Sequence, residues 1–248
     1  MPDILITDEG PVRVIRMNRL DKKNALTLPM YEEMAEAIGG AAHDAGVRCL
    51  MMAGGPAAFC AGNDIGDFMT MAQSGSLGQP ILNFLYALVR SEKPVVAAVN
   101  GNAVGVGTTM LLHCDYVVAG HDAKLSTPFV GLGLVPEAGS SLVAPRLMGH
   151  ARAFALLVMG QPLSASEAKD AGLVNAVVDP AETDATALAA AQKIAALPAQ
   201  GVLMSRRLMR GSPDQIVARI DEEAEGFKVR LRSPEAQAAF MAFMTRKR

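Results

Sequence analysis

The sequence predicts an α/β body followed by a helical C-terminal region, and three observations support this. Short apolar or β-branched runs alternate with helix-period segments over the first half of the chain. Beyond about residue 146 nearly every segment reads as helix. In a chain of 248 residues, 50% hydrophobic and 19% charged residues give a globular balance, with length enough to bury a sizeable core.

Each element has its own signal. Val12–Met17 reads as a strand from its β-branched alternation. Residues 28–42 place Met30, Met34, Ala37 and Ile38 on one helical face. Residues 49–52 form a buried strand that ends at the loop Gly54-Gly55-Pro56. Residues 80–90 are helical, and Val95–Val99 is a buried strand opened by Pro94. Residues 107–112 read as helix and 116–119 as another strand. In the second half, 151–159, Thr183–Ala196, 200–209, 214–230 and 234–245 read as helices, with one short strand at 174–178. No low-complexity linker or fixed-period repeat divides the chain. The expected organisation is a core over residues 1–195 and a helical region over 196–248.

Charge and composition exclude several functions. Lys plus Arg is 23 and Asp plus Glu is 25, a net charge of −2, with no basic stripe and no tryptophan, so nucleic acid is not an expected partner. Cys49, Cys60 and Cys114 form neither a CxxC nor a zinc spacing, and so sparse a set suits a reducing compartment. The first residues lack the basic and apolar regions of a secretory leader. The apolar stretch 95–119 is interrupted by Asn100, Asn102, His113 and Asp115, so it reads as buried core rather than a membrane span. The expected setting is the cytoplasm. His43, His113, His121 and His150 form no HExxH pair and read as surface or core residues. Gly105-Val106-Gly107 lacks the third glycine of a dinucleotide fingerprint, there is no P-loop, and Ser140-Ser141 sits in no GxSxG elbow.

Two glycine-bearing turns remain, each leading from an apolar run into a helix. One is Phe59-Cys60-Ala61-Gly62-Asn63-Asp64-Ile65, the other Asn100-Gly101-Asn102-Ala103-Val104-Gly105-Val106-Gly107. Taken alone, the glycines read as tight turns. Turns of this kind also aim free backbone N–H groups at an oxygen, and two that converge make an oxyanion hole.

Four segments together resemble the enoyl-CoA hydratase/isomerase (crotonase) superfamily. Asn18-Arg19-Leu20-Asp21-Lys22-Lys23-Asn24-Ala25-Leu26 resembles its NRPxxxNAL opening, and Phe59 to Ile65 resembles FxAGxDI. Val99 to Thr109 resembles VNGxAxGGGxxL, and Leu132 to Arg146 resembles LGxxPxxGxxxxLPRxxG. The matches keep the family's order and spacing over nearly the whole chain. The resemblance implies a crotonase-like spiral of ββα repeats with a helical C-terminal region that packs on the core or on a neighbour. It also implies homotrimers, often paired into hexamers, and an acyl-CoA thioester substrate. The hole donors carry over to the backbone N–H groups of Asn63 and Val106. Val106 departs from the family's usual glycine; it still donates if its φ stays negative, and its branches narrow the pocket. The Ala61 carbonyl would receive the adenine amino group, with Asp64, Ile65, Phe129 and Leu132 also expected at the substrate. Lys22 and Lys23 read either as a solvated turn or as a basic edge for the CoA phosphates. Asp64 reads as the N-cap of the helix that Ile65 opens, ahead of any catalytic role.

Carboxylates choose the reaction. Hydratases of the family use two glutamates, and this chain has Thr109 at the first position and Pro128-Phe129 at the second. A different carboxylate, Glu137, lies in Val135-Pro136-Glu137-Ala138-Gly139-Ser140-Ser141. That segment resembles the PEGxSS-type segment of Δ3,Δ2-enoyl-CoA isomerases, whose glutamate is the single base. Without the resemblance, Glu137 reads as a first-turn carboxylate favouring a helix dipole. The expected activity is therefore conversion of a 3-enoyl-CoA to a 2-enoyl-CoA. It needs no metal, nucleotide or flavin, because coenzyme A is part of the substrate. Phe68, Met69, Met71, Phe84 and Leu85 are candidates for the acyl pocket or for plain core. The other readings are action on another acyl-CoA, such as a ring-opened or oxepin-type aromatic catabolite, hydration, and a non-catalytic acyl-CoA-binding subunit.

Overall fold

The structure, a computed structural model, describes residues 1–74 and 78–246. The last two residues of the expected C-terminal region, 247 and 248, lie outside the described residues. The chain opens with a hairpin of β1 (Ile4–Glu9) and β2 (Val12–Met17), then α1 (Leu28–His43). Three strand pairs follow, each sending its first strand to a six-stranded sheet and its second to a four-stranded one. They are β3 (Cys49–Ala53) with β4 (Ala58–Cys60), β5 (Val95–Val99) with β6 (Asn102–Val104), and β7 (Tyr116–Gly120) with β8 (Lys124–Ser126). Helices α2 (Ile65–Ser74) and α3 (Gln79–Arg90) follow the first pair, and α4 (Val106–Thr109) follows β6. This is the spiral of ββα repeats. The second half contains α5 (Ser140–Met148), α6 (His150–Leu157), β9 (Leu163–Ser164), α7 (Ala165–Asp170) and β10 (Ala176–Val178). It ends with α8 (Thr183–Ala196), α9 (Ala199–Arg210), α10 (Asp214–Leu231) and α11 (Pro234–Arg246). No single helix among the described residues is long and apolar enough to cross a membrane.

The large sheet runs β1-β2-β3-β5-β7-β10, parallel throughout apart from the hairpin. Both of its faces are covered, which is why β3 and β5 read as unbroken apolar runs. Alternate residues divide between two cores. Leu50, Met52, Val95 and Ala97 face the side of α1 and α3, while Cys49, Met51, Val96 and Ala98 meet Ala187, Ala191 and Ala195 of α8. Those alanines let α8 lie close to the strands. On α1 the predicted face of Met30, Met34, Ala37 and Ile38 is buried and also includes Tyr31. Residues 107–112, read as one helix, divide instead: α4 starts at Val106 and passes into a 3-10 turn over Met110–His113.

The small sheet, β4-β6-β8-β9, sets up the site. Its first three strands have only three residues each, so close backbone packing has to hold them together. A Cβ on Gly107 would lie 2.7 Å from the Cys60 carbonyl oxygen and 2.8 Å from the Cys60 Cβ. Glycine is required there by the approach of two backbones. Gly107→Ala should therefore force β4 and α4 apart at a cost of about 1–3 kcal/mol. A lowered unfolding midpoint in urea, with an unchanged slope, is the expected outcome.

Candidate active site

The parallel pairing of β4 with β6 aligns Cys60 with Ala103, so the turns that leave both strands emerge side by side. In the first turn Leu26 brackets Asn63. Its N–H donates to the Gly62 carbonyl at 2.8 Å, and its carbonyl accepts from the Asp64 N–H at 2.8 Å. The Asn63 N–H between them donates to no acceptor among the described residues. Tyr31, one of the buried residues of α1, donates its hydroxyl to Asn63 Oδ1 at 2.5 Å and fixes that side chain.

The second turn is shaped by Gly105, at φ 57° and ψ −121°, a conformation that glycine alone adopts readily. Its carbonyl accepts from the Thr108 and Thr109 N–H groups at 2.9 and 3.0 Å. Val106 is the first residue of α4, so its N–H has no intrahelical partner. It takes up no other acceptor among the described residues. Its φ is negative, as donation by a valine requires, and its side chain is packed into the core. A Cβ on Gly62 would lie 3.0 Å from the Val104 carbonyl oxygen, so the two turns touch. The pair of N–H groups can hold an oxygen that gains negative charge.

Glu137 lies outside α5, which begins at Ser140, so the first-turn reading does not hold. Its side chain is buried, and Thr109 Oγ1 donates to its Oε1 at 2.5 Å. Because Thr109 ends the short helix that Val106 begins, this bond places the carboxyl within one helical turn of the Val106 N–H. Burial pushes the Glu137 carboxyl up to about 8; the Thr109 hydrogen bond opposes the shift and the charge of nearby Glu223 adds to it. This poises the group for acid/base work near neutrality. Phe129 is buried over the second turn, its Cε1 3.9 Å from where a Gly105 Cβ would stand. Leu132 is half-buried in the 3-10 turn beyond it.

Asp64 is a cap, as the sequence suggested. Its Oδ1 accepts from the Gly66 N–H at 2.8 Å and the Asp67 N–H at 3.4 Å, and Arg19 pairs with its Oδ2 at 2.7 Å. Partial burial acts to raise its carboxyl, but Arg19 and the two N–H groups outweigh this and hold it below the usual range. Ile65 is half-buried at the start of α2. Lys22 and Lys23 are exposed, and neither pairs with a carboxylate among the described residues. The Lys23 carbonyl accepts from the Ala61 N–H at 3.0 Å, which sets this basic loop beside Ala61.

Of the acyl-pocket candidates, Leu85 lines a small cleft with Ile81, Glu137, Ile220, Ala224 and Phe227. Phe84 is instead fully buried against Tyr31, and Phe68 packs on Phe227 and Phe240. Met71 is buried in the core and Met69 packs partly against it. A separate cavity of about 330 Å³ lies between α3, α9 and α10. Its Arg90, Arg206, Arg207 and Arg210 pair with Asp214, Asp115 and Glu92, and its lining includes none of Asn63, Val106 and Glu137. Sequence reasoning gave no site role to Tyr31 or Glu223, which reach Asn63 and Gly139 from distant helices. Thr109 was legible only as a missing glutamate.

A family model described as enoyl-CoA hydratase/isomerase matches residues 7–248. The chain belongs to the enoyl-CoA hydratase/isomerase family. It is 35% identical over 250 residues to enoyl-CoA delta isomerase 2 of Rattus norvegicus, covering 98% of this chain and 64% of that longer protein. It is 32% identical to 1,2-epoxyphenylacetyl-CoA isomerase of Escherichia coli, over 100% of this chain and 97% of that one. It is 33% identical to the short-chain-enoyl-CoA hydratase of Clostridium acetobutylicum, over 99% and 96%. Among solved structures, OdaA of Pseudomonas aeruginosa superposes with a TM-score of 0.93 at 45% identity, over 98% of this chain and 99% of that one. The enoyl-CoA hydratase/isomerase members act on acyl-CoA substrates, and the crotonase fold is shared along the whole chain.

The raised Glu137 carboxyl has a stability consequence for this family member. The folded chain keeps that proton up to about pH 8, while the unfolded chain releases it near the ordinary 4.5. Between those values the folded state binds more protons, so stability falls as pH rises. Glu137→Gln should remove this part of the pH dependence. Denaturant titrations at pH 5 and pH 9 should show the variant gaining on wild type at the higher pH, by on the order of a few kcal/mol at most.

Proposed function

We propose that this chain is an acyl-CoA isomerase that converts a 3-enoyl-CoA to a 2-enoyl-CoA by proton transfer through Glu137. The observation that carries the reading is one buried carboxyl beside two free N–H donors. Thr109 and Phe129 stand at the places where the family resemblance puts the two hydratase glutamates.

Ionised Glu137 takes a proton from C2. The C2–H electrons delocalise into the thioester carbonyl, and the dienolate oxygen is held by the N–H groups of Asn63 and Val106. Protonated Glu137 then returns the proton to C4, the carbonyl re-forms, and the double bond lies between C2 and C3. No atom is gained or lost, and no metal, nucleotide or flavin enters the balance. Thr109 suits both halves of the cycle. Its single hydroxyl proton goes to Glu137 while the carboxylate is charged. Once Glu137 is protonated, the Thr109 hydroxyl can turn to the Gly105 carbonyl, 3.4 Å away, and accept from the acid.

Likeness to 1,2-epoxyphenylacetyl-CoA isomerase favours a second reading, in which the same Glu137 shifts a double bond on a ring-derived acyl-CoA. Hydration is disfavoured because a phenylalanine at 129 neither holds nor activates water, and a binding-only role leaves the raised Glu137 carboxyl without a purpose. The CoA nucleotide is assigned to the edge formed by Lys22, Lys23 and the Ala61 carbonyl. The assembly is read as a homotrimer or a dimer of trimers, in which neighbours would cover the exposed Met204, Leu208 and Met209 of α9. These parts of the reading rest on the family resemblance.

Incubation with 3-hexenoyl-CoA should generate conjugated thioester absorbance, while crotonyl-CoA should keep its own; loss of the crotonyl signal would mean hydration. Glu137→Gln should lower isomerase kcat by about 10²–10⁴, or about 3–5 kcal/mol, with acyl-CoA still bound. A fall below about tenfold in a folded variant would move the base elsewhere. The double variant Lys22→Ala, Lys23→Ala should raise KM and leave kcat nearly unchanged, the behaviour of lost uniform binding; an unchanged KM would place both lysines in solvent.

A further inference from the structure

The turn that carries Glu137 is strained and is held from two sides. Ala138 and Gly139 both take left-handed conformations, at φ 62° and 69°. For alanine this conformation is unfavourable, so it persists only where neighbours over-determine it. On one side His113 Nε2 lies 2.7 Å from the Ala138 carbonyl. Burial pushes the imidazole down to about 4, so it is neutral and its one proton is on the nitrogen that donates to Ala138. On the other side Glu223 of α10 engages three donors. Its Oε2 accepts from the Gly139 N–H at 2.6 Å, and its Oε1 accepts from the Ser141 N–H at 2.9 Å and the Ser141 hydroxyl at 2.5 Å. Arg219, on the same helix, donates to that Ser141 oxygen at 3.2 Å.

We infer that Glu223 is a positioning residue that fixes the left-handed turn at Ala138 and Gly139 and thereby aims Glu137 at the substrate. The carboxylate side of the clamp arrives from α10, far from Glu137 in sequence. The inference rests on the reading of Glu137 as the base. Glu223 acts by shape, since both its oxygens are filled by donors from the turn. It also acts by charge, because a carboxylate next to Glu137 disfavours a second negative charge. Among the described residues, the other titratable groups facing this pair are Tyr31 from α1, Cys60 from β4, His113 after α4, and Arg219. Burial keeps the phenol and the thiol protonated far above neutral pH, and His113 is neutral there. Of the groups gathered here, Glu223 is the one whose replacement by glutamine removes negative charge beside Glu137.

Two variants separate shape from charge. Glu223→Gln keeps one accepting oxygen, but its amide NH2 confronts an N–H and the charge is gone. Glu223→Asp keeps the charge and loses a methylene of reach. The readouts are isomerase kcat and KM with 3-hexenoyl-CoA across pH, and the carboxyl 13C titration of Glu137 in glutamate-labelled protein. That resonance is assigned by its loss in Glu137→Gln. For Glu223→Gln, kcat should fall about tenfold or more, KM should hold within about twofold, and the acid limb of the rate profile should move to lower pH with the carboxyl titration. For Glu223→Asp, kcat should fall while the acid limb stays in place. A folded Glu223→Gln protein with wild-type kcat, rate profile and carboxyl titration would overturn the inference. A carboxyl titration that moves while the rate profile stays would instead overturn Glu137 as the base and leave the coupling standing. If Glu223→Gln does not fold, Glu223→Asp decides, and an unchanged kcat there overturns positioning.

Discussion

The parallel register of β4 and β6 governs the rest of the site. Neighbouring strands in a sheet lie about 4.8 Å apart, so two turns leaving the same end of adjacent strands must approach each other. Here Cys60 stands opposite Ala103, and the chain then diverges into Asn63 on one side and Val106 on the other. The register itself is imposed from the large sheet, because β3 and β5 pair in parallel there and their continuations supply β4 and β6. Small residues make the approach possible: Gly62 lies beneath the Val104 carbonyl and Gly107 beneath the Cys60 carbonyl. The placing of the two N–H groups therefore follows from the sheet.

Against this fixed pair of donors the site places one acid in an apolar setting. Phe129, Leu134 and Ala138 belong to one buried core cluster, Glu137 is itself buried, and Tyr31 holds Asn63 through its hydroxyl. Asp64, the other carboxylate at the hole turns, is held charged by Arg19 and two N–H groups. The two carboxyls thus differ in environment as their tasks differ. One is a paired cap that stays ionised, the other a buried group held by the Thr109 hydroxyl, with its proton affinity raised toward neutrality. The position of the second depends on the chain's last quarter, since α10 packs on α3 and α5 and brings Glu223 to the turn at Gly139.

What could be read from the sequence follows from where each signal resides. The strands β3 and β5 are evident because both faces are buried and every residue is apolar. The three-residue strands β4, β6 and β8 are not, because Asn102 and Lys124 are polar and the pairing depends on backbone packing. β1 escapes notice as an edge strand with only Ile4 fully buried. Helix α5 hides behind its internal Pro145 and its left-handed start at Gly139. Asn63, Val106 and Glu137 are legible by motif alone, since what is expected of them rests on backbone N–H groups and on a carboxylate in a turn. Glu223 lies 84 residues from Gly139 and Tyr31 lies 32 residues from Asn63, so both bonds depend on tertiary packing that no local pattern announces.

The fate of one proton tests the single-carboxylate chemistry most directly. Dideuteration at C2 of 3-hexenoyl-CoA allows the migrating atom to be followed under single-turnover conditions in light water, with the 2-hexenoyl-CoA formed analysed by mass and NMR. Transfer through one buried carboxyl predicts that a measurable share of the C2 deuterium appears at C4, because Glu137 returns the atom it took before solvent replaces it all. Complete replacement by solvent hydrogen at C4, at the earliest resolvable times and in wild-type protein, would contradict removal and return by the same shielded group.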